Sequence, residues 1–239
     1  MEVTEGHLLN RRLRHIQPRQ GHRTGLEPVL LAAAVPARPG ERVLEGGTGS
    51  GAGLLCLAAR VPDLRGVGLE RCPATAALAR ANAEANGFDQ LSVLAGDLAE
   101  LRPEGVFDHA FANPPWHGTG TASPDSAREA AKRAAPGLFG LWAARLAAPL
   151  RPRGTLTLVV AAAALPACLQ ALAVAGCGSA SVFPLWPKAG REAKLMLLRG
   201  IKGGRAPCRL LPGLVLHESD GRFTAAAEAV LRDGMALAF

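Results

Sequence analysis

From residue 40 onward the chain alternates short β-rich runs with alanine-rich stretches of helical length, and no other feature constrains its fold as tightly. Repeated strand–helix–strand units build a largely parallel sheet with helices on both faces. The spacing predicts strands at Arg42 to Glu45, Gly66 to Glu70, Leu91 to Ala95, Asp108 to Ala112, Thr155 to Val160, Ser179 to Leu185 and Lys194 to Arg199. Helices are expected at Ala52 to Ala59, Pro73 to Asn86, Leu138 to Ala147 and Leu165 to Ala173. Pro73 suits a first helical turn and Asn86-Gly87 a left-handed C-terminal cap. The expectation is an α/β chain: a doubly wound, mostly parallel, seven-stranded sheet in residues 40–200. Residues 1–39 precede it as a basic segment with a helix, and 201–239 follow as an extension packed on the core. In that extension Leu214-Val215-Leu216 and Arg222-Phe223-Thr224, joined through Asp220-Gly221, read as a hairpin, with a helix from Ala225 to Leu231 after it.

At 239 residues such a chain can bury roughly 70% of its unfolded surface. Its 49% apolar content and mean hydropathy of +0.14 are globular values, and no run approaches the ~20 apolar residues of a membrane span. The acidic start, Met1-Glu2-Val3-Thr4-Glu5, has no signal-peptide apolar run behind it, so a cytoplasmic location is expected. Five dispersed cysteines, Cys56, Cys72, Cys168, Cys177 and Cys208, without a C-x-x-C pair, argue against a disulfide framework and against a zinc site; no metal is expected. The net charge of +7 suits a polyanionic partner. It is concentrated in Arg11, Arg12, Arg14, Arg19 and Arg23, and again between Lys188 and Arg209, where seven basic residues face only Glu192.

Between the first strand and first helix lies Glu45-Gly46-Gly47-Thr48-Gly49-Ser50-Gly51, whose glycines let backbone approach a ligand. Glu70 ends the second strand, 23 residues after Gly47, where a carboxylate can accept from both ribose hydroxyls. Gly96-Asp97 ends the third strand, and Asp97 could accept from an adenine amino group. Three acids and a glycine turn along one sheet edge indicate a nucleotide site. Gly47-x-Gly49-x-x-Ala52 also satisfies a permissive dinucleotide fingerprint. The fourth strand decides against that: it ends in Asn113-Pro114-Pro115-Trp116, a carboxamide, two prolines without N–H donors and a flat ring. Hydride transfer has no use for such a set, whereas holding a planar amino group for methyl transfer does. The following stretch, His117 to Ser126, is rich in Gly, Thr, Ser and Pro and is expected to be a loop that could act as a lid.

Together these residues resemble the class I S-adenosylmethionine-dependent methyltransferases, in the branch whose Asn-Pro-Pro-aromatic motif modifies amino nitrogens of nucleobases or glutamine. Gln17-Pro18-x-x-Gly21-x-Arg23-x-Gly25-x-Glu27 with Val29-Leu30-Leu31-Ala32, and the tail Leu216-His217-x-x-Asp220-Gly221-x-Phe223-Thr224, look like the ends of the bacterial tRNA(Val) adenine-N6 methyltransferases. The resemblance implies the Rossmann-like class I methyltransferase fold, S-adenosylmethionine as cofactor and tRNA as partner. By it, Glu45, Gly47, Thr48, Gly49 and Gly51 would surround the methionine part of the cofactor, Glu70 its ribose, and Asp97 with the Leu98 backbone its adenine. Asn113 would face the sulfonium methyl and, with the Pro114 carbonyl, hold the acceptor amine, while Trp116 stacks on the target base. Arg11, Arg12, Arg14 and Arg23, with Pro115, Trp116 and His117, would meet RNA, although His117 reads first as an exposed loop histidine.

Glu45-Gly46 stands where Asp-Leu is commoner, and Trp116 where Tyr or Phe is usual. Neither change removes a required group, but the larger ring alters the pocket. Glutamine methylation, methylation of ribosomal RNA or DNA, and RNA binding without catalysis are the competing readings. The 39 residues before the sheet leave little room for the helical domain usual in glutamine methyltransferases. Monomer and homodimer are both open.

Overall fold

The computed structural model describes residues 1–20, 23–115 and 137–239. The seven expected strands are present as β3 (Arg42–Gly46), β4 (Arg65–Glu70), β5 (Leu91–Ala95), β6 (Phe107–Ala112), β7 (Leu150–Ala161), β8 (Cys177–Lys188) and β9 (Leu195–Lys202). Their spatial order is β8-β9-β7-β6-β3-β4-β5, and of these β9 alone runs antiparallel to its neighbours. The order reverses between β3 and β6, so loops at their carboxyl ends diverge to opposite faces and leave a crevice there.

The helices are α1 (Glu27–Ala34), α2 (Ala52–Arg60), α3 (Pro73–Ala85), α4 (Leu138–Ala147), α5 (Leu165–Val174) and α6 (Ala225–Leu231). Two apolar cores lie on the two sheet faces. One gathers α1, α2 and α6, with Leu30, Leu31, Leu54 and Leu57 at its centre. The other gathers α4 and α5 around Phe107, Leu146, Leu156 and Leu172. Pro73 opens α3, and Gly87 at φ +70° closes it while the Phe88 N–H returns to the Ala83 carbonyl.

Both ends differ from expectation. Residues before α1 form a two-stranded antiparallel hairpin, β1 (Val3–Leu8) and β2 (Leu13–Pro18), absent from the sequence reading. Its turn places Leu9, Asn10 and Arg11 in the left-handed region, and Leu9, Leu13 and His15 are buried. At the other end the expected hairpin is corrected. Its first arm is β11 (Leu214–His217), but that arm pairs in parallel with β8. Its return arm reduces to one bridge, His217 to Phe223. Thr224 ends it because its hydroxyl accepts the Ala227 N–H at 3.1 Å and caps α6. With β10 (Arg209–Leu210), also parallel to β8, the sheet reaches nine strands among the described residues.

Candidate active site

Strand register brings the expected site residues to one edge. Gly46 is paired with Leu69 on one side and Ala112 on the other, and Glu70 is paired with Ala95. Just beyond these pairs stand Asp97, Glu70, the turn from Gly47 and Asn113, in that spatial order along the carboxyl edge. The turn and Asn113 flank the reversal of strand order, where an open α/β sheet has its crevice.

Gly47, Gly49 and Gly51 have φ of +65°, +56° and +91°, a region closed to most side chains. A Cβ on Gly47 would stand 2.8 Å from the indole of Trp142 on α4. At Gly49 it would meet nothing within 4 Å, so the space in front of that residue is open to a ligand. The Thr48 N–H to the Leu69 carbonyl (2.9 Å) ties the turn to β4.

The three acids are held by the turns around them. Glu70 accepts from the Gly49 N–H at 3.0 Å and the Cys72 N–H at 2.8 Å, one through each oxygen. Each oxygen keeps a lone pair, so the half-buried carboxylate can still accept from a diol. Asp97 accepts from the Ala99 N–H at 2.8 Å, beside buried Leu98. Glu45 is only 4% exposed and lies beneath the turn, accepting from the Thr48 hydroxyl and the Leu54 N–H. Its carboxylate fills the space in front of Gly53, where an added Cβ would overlap Glu45 Oε1. Burial pushes the Glu45 carboxyl up to about 8, against the pull of those two hydrogen bonds. Open space at Gly49, an acceptor pair at Glu70 and a further acid at Asp97 fit the methionine, ribose and adenine parts of S-adenosylmethionine.

Asn113 is half-buried at the end of β6, Pro114 is buried and Pro115 exposed. Trp116, His117 and the expected lid lie outside the described residues.

The sequence reading missed a second layer behind the turn. His15 of β2 is 2% exposed, with Nε2 2.9 Å from Ser50 Oγ. Burial lowers its imidazole to about 4. Asn82 of α3, fully buried, donates to the Ser50 and Ile16 carbonyls and accepts the Ile16 N–H. One helical turn later, Asn86 accepts the Arg14 N–H and donates to the Arg14 carbonyl. Four helical residues rise about 6 Å and two strand residues about 6.6 Å, so the two carboxamides match alternate residues of β2. The hairpin thereby docks on α3 and braces the glycine turn. An i, i+4 asparagine pair in an alanine-rich helix was the available signal; nothing local marked His15.

The same docking sets the direction of the hairpin. Helix α3 runs away from the site edge, so Arg14 beside Asn86 lies at its far end and the tip with Arg11 and Arg12 lies beyond. Arg12 donates to the Asp233 carbonyl at 2.8 Å, and Arg14 pairs with Glu5 at 2.7 Å. Arg11, Arg12 and Arg14 are therefore not brought to the Asn113 edge. Arg23 is nearer, because its neighbour Thr24 donates to the Gln17 side chain at the end of β2.

The family model for the methyltransferase small domain matches residues 28–164. A tRNA1(Val) (adenine(37)-N6)-methyltransferase of Aeromonas hydrophila is 30% identical over 208 residues, covering 84% of this chain and 85% of that one. Its counterpart in Porphyromonas gingivalis is 33% identical over 147 residues, 57% of this chain but only 58% of that relative's length. Among solved structures, a predicted O-methyltransferase of Agrobacterium tumefaciens aligns with a TM-score of 0.73 at 25% identity, over 88% of this chain and 97% of that one. The fold is that of the class I methyltransferases, and the chain belongs to the methyltransferase small domain family.

Proposed function

We propose that the protein transfers a methyl group from S-adenosylmethionine to the N6 amino group of an adenine in tRNA, beside the anticodon of a valine tRNA. The observation that carries this reading is the placement of Asn113-Pro114 at the end of β6, across the strand-order reversal from the glycine turn. Similarity to the Aeromonas enzyme over most of both chains supports adenine in tRNA as the acceptor. Such an enzyme works in the cytoplasm, where its substrate is.

The bound cofactor supplies an electrophilic methyl group on a sulfonium. Glu70 would accept from the ribose hydroxyls, Asp97 from the adenine amino group, and the left-handed glycines would let the turn close on the methionine part. An exocyclic aromatic amine is a poor nucleophile, since its lone pair is delocalised into the ring. The Asn113 carboxamide oxygen and the Pro114 carbonyl accept its two N–H bonds, which favours a pyramidal nitrogen and aligns it for in-line attack. Trp116 stacks on the extruded base, worth about 1–3 kcal/mol, the scale of the cost of unstacking it. Methyl transfer releases the neutral thioether, and the methylated nitrogen, positively charged and strongly acidic, would lose its proton to solvent, so no strong general base is needed.

Labelled S-adenosylmethionine incubated with unmodified tRNA, followed by digestion and mass spectrometry of nucleosides, tests the reading. N6-methyladenosine is expected. Label confined to protein glutamine or to ribosomal RNA would replace it with one of the competing readings.

A further inference from the structure

The basic run between Lys188 and Arg209 is divided by the fold. β8 reaches the site edge at Lys188, the chain turns there, and β9 carries Lys202 back to the opposite edge, with Arg205 beyond. Arg199 lies mid-strand, its guanidinium donating to the Ala34 carbonyl and sitting 4.0 Å from the Phe239 ring centroid. Only Lys188, Arg191 and Lys194 therefore project at the edge that carries Asn113.

Their position relative to Asn113 follows from register. Ala112 pairs with Leu158 on β7, and Ala161 at the end of β7 pairs with Leu195. The Ala162 N–H to the Lys194 carbonyl (2.8 Å) and the Arg191 N–H to the Lys188 carbonyl (3.2 Å) fix the turn. β9 is two strands from β6, about 10 Å across the sheet at roughly 4.8 Å per strand, and Leu195 stands three residues, about 10 Å, further along the strands than Ala112, so the turn is on the order of 14 Å from the end of β6.

Position together with charge availability separates this turn from the other basic cluster. Arg191 and Lys194 are exposed, and no side-chain partner is found for either among the described residues. Lys188 donates to the Ser219 carbonyl at 2.9 Å and retains further N–H donors. On the hairpin Arg14 pairs with Glu5 and Arg19 with Glu2, and Arg11, exposed and without a side-chain partner among the described residues, lies at the far end of α3 from Asn113.

We infer that the β8–β9 turn, through Arg191 and Lys194 with Lys188 beside them, grips the RNA phosphates flanking the base presented to Asn113. The inference rests on the RNA reading above and assigns its backbone contacts. Phosphate contacts fix register without reading sequence, so the turn orients the substrate and leaves base choice to the pocket.

The test measures tRNA affinity across a salt series for the wild type, Arg191→Glu/Lys194→Glu, and Arg205→Glu from the opposite edge. The double variant is expected to lose at least about tenfold in affinity at low salt, and its log–log salt dependence flattens by roughly 1.4–1.8. Its KM for tRNA rises while kcat at saturating tRNA and cofactor affinity stay at wild-type values. Arg205→Glu stays within about twofold of the wild type. A double variant with the wild-type slope and KM overturns the turn's role and leaves the tRNA reading standing. A wild type without salt-dependent tRNA binding overturns both.

Discussion

The two edges of the sheet both carry acids that are at least partly buried, and they satisfy them in opposite ways. At the amino edge Glu41 meets His109 Nε2 at 3.0 Å and Arg151 at 3.4 Å. Asp108 meets Arg151 and the Arg42 N–H, and His109 Nδ1 lies 2.8 Å from the Thr155 hydroxyl. Burial pushes Asp108 up, but the Arg42 N–H and the Arg151 guanidinium outweigh it and hold the carboxyl below its usual value. At the carboxyl edge Glu45, Glu70 and Asp97 have no cationic side chain against them among the described residues, only backbone N–H groups and one hydroxyl. A carboxylate kept for stability is paired within the chain, while one kept for a ligand is oriented and left with acceptor capacity. We therefore assign the amino edge as scaffold and the carboxyl edge as the proposed site.

The largest effect expected from breaking the carboxyl edge is at Asn113. Asn113→Ala removes the acceptor proposed to hold the reacting amine, so turnover should fall by about 10²–10³-fold while cofactor affinity stays within about twofold. Unchanged turnover in single-turnover assays would remove Asn113 from the clamp.

A smaller effect probes the layer between the edges. His15 is held neutral at about 4, below the usual 6.5, so its contribution is complete above pH 6.5 and is lost as pH falls toward 4. A lowering from 6.5 to about 4 amounts to on the order of 3 kcal/mol once the pH has fallen below 4. Thermal melts from pH 8 to pH 4.5 should show the wild type losing stability more steeply than His15→Gln. Parallel curves would mean that protonating His15 does not undock the hairpin.

The strand ends and the glycine turn were legible because short-range rules govern them: periodicity gives the strands, and glycines mark where backbone must take left-handed angles. Glu70, Asp97 and Asn113 came to one edge because parallel register makes every strand end at the same side. The rest depends on contacts distant in sequence. Nothing local announces that Ile16 will find Asn82, or that Arg14 will pair with Glu5 and lie at the far end of α3 from Asn113. Leu214-Val215-Leu216 carries strand alternation whichever partner it takes, so its parallel pairing with β8 could not be read from turn chemistry. The run from Lys188 to Arg209 looked like one patch because linear charge density cannot show that a strand divides it between two edges.

The contrast between the edges is tested most directly by neutralising one acid on each without changing its shape, and measuring cofactor affinity and Tm on both variants. Glu70→Gln should weaken S-adenosylmethionine binding about tenfold or more; it trades one accepting oxygen for an amide donor facing a backbone N–H, so Tm should fall by about 2–4 °C. Asp108→Asn breaks its pairing with Arg151 at a cost of about 1–2 kcal/mol, so Tm should fall by roughly 2–6 °C with cofactor affinity unchanged. Glu70→Gln with wild-type affinity, or Asp108→Asn with weakened cofactor binding and wild-type Tm, would contradict the division of the sheet into scaffold and site.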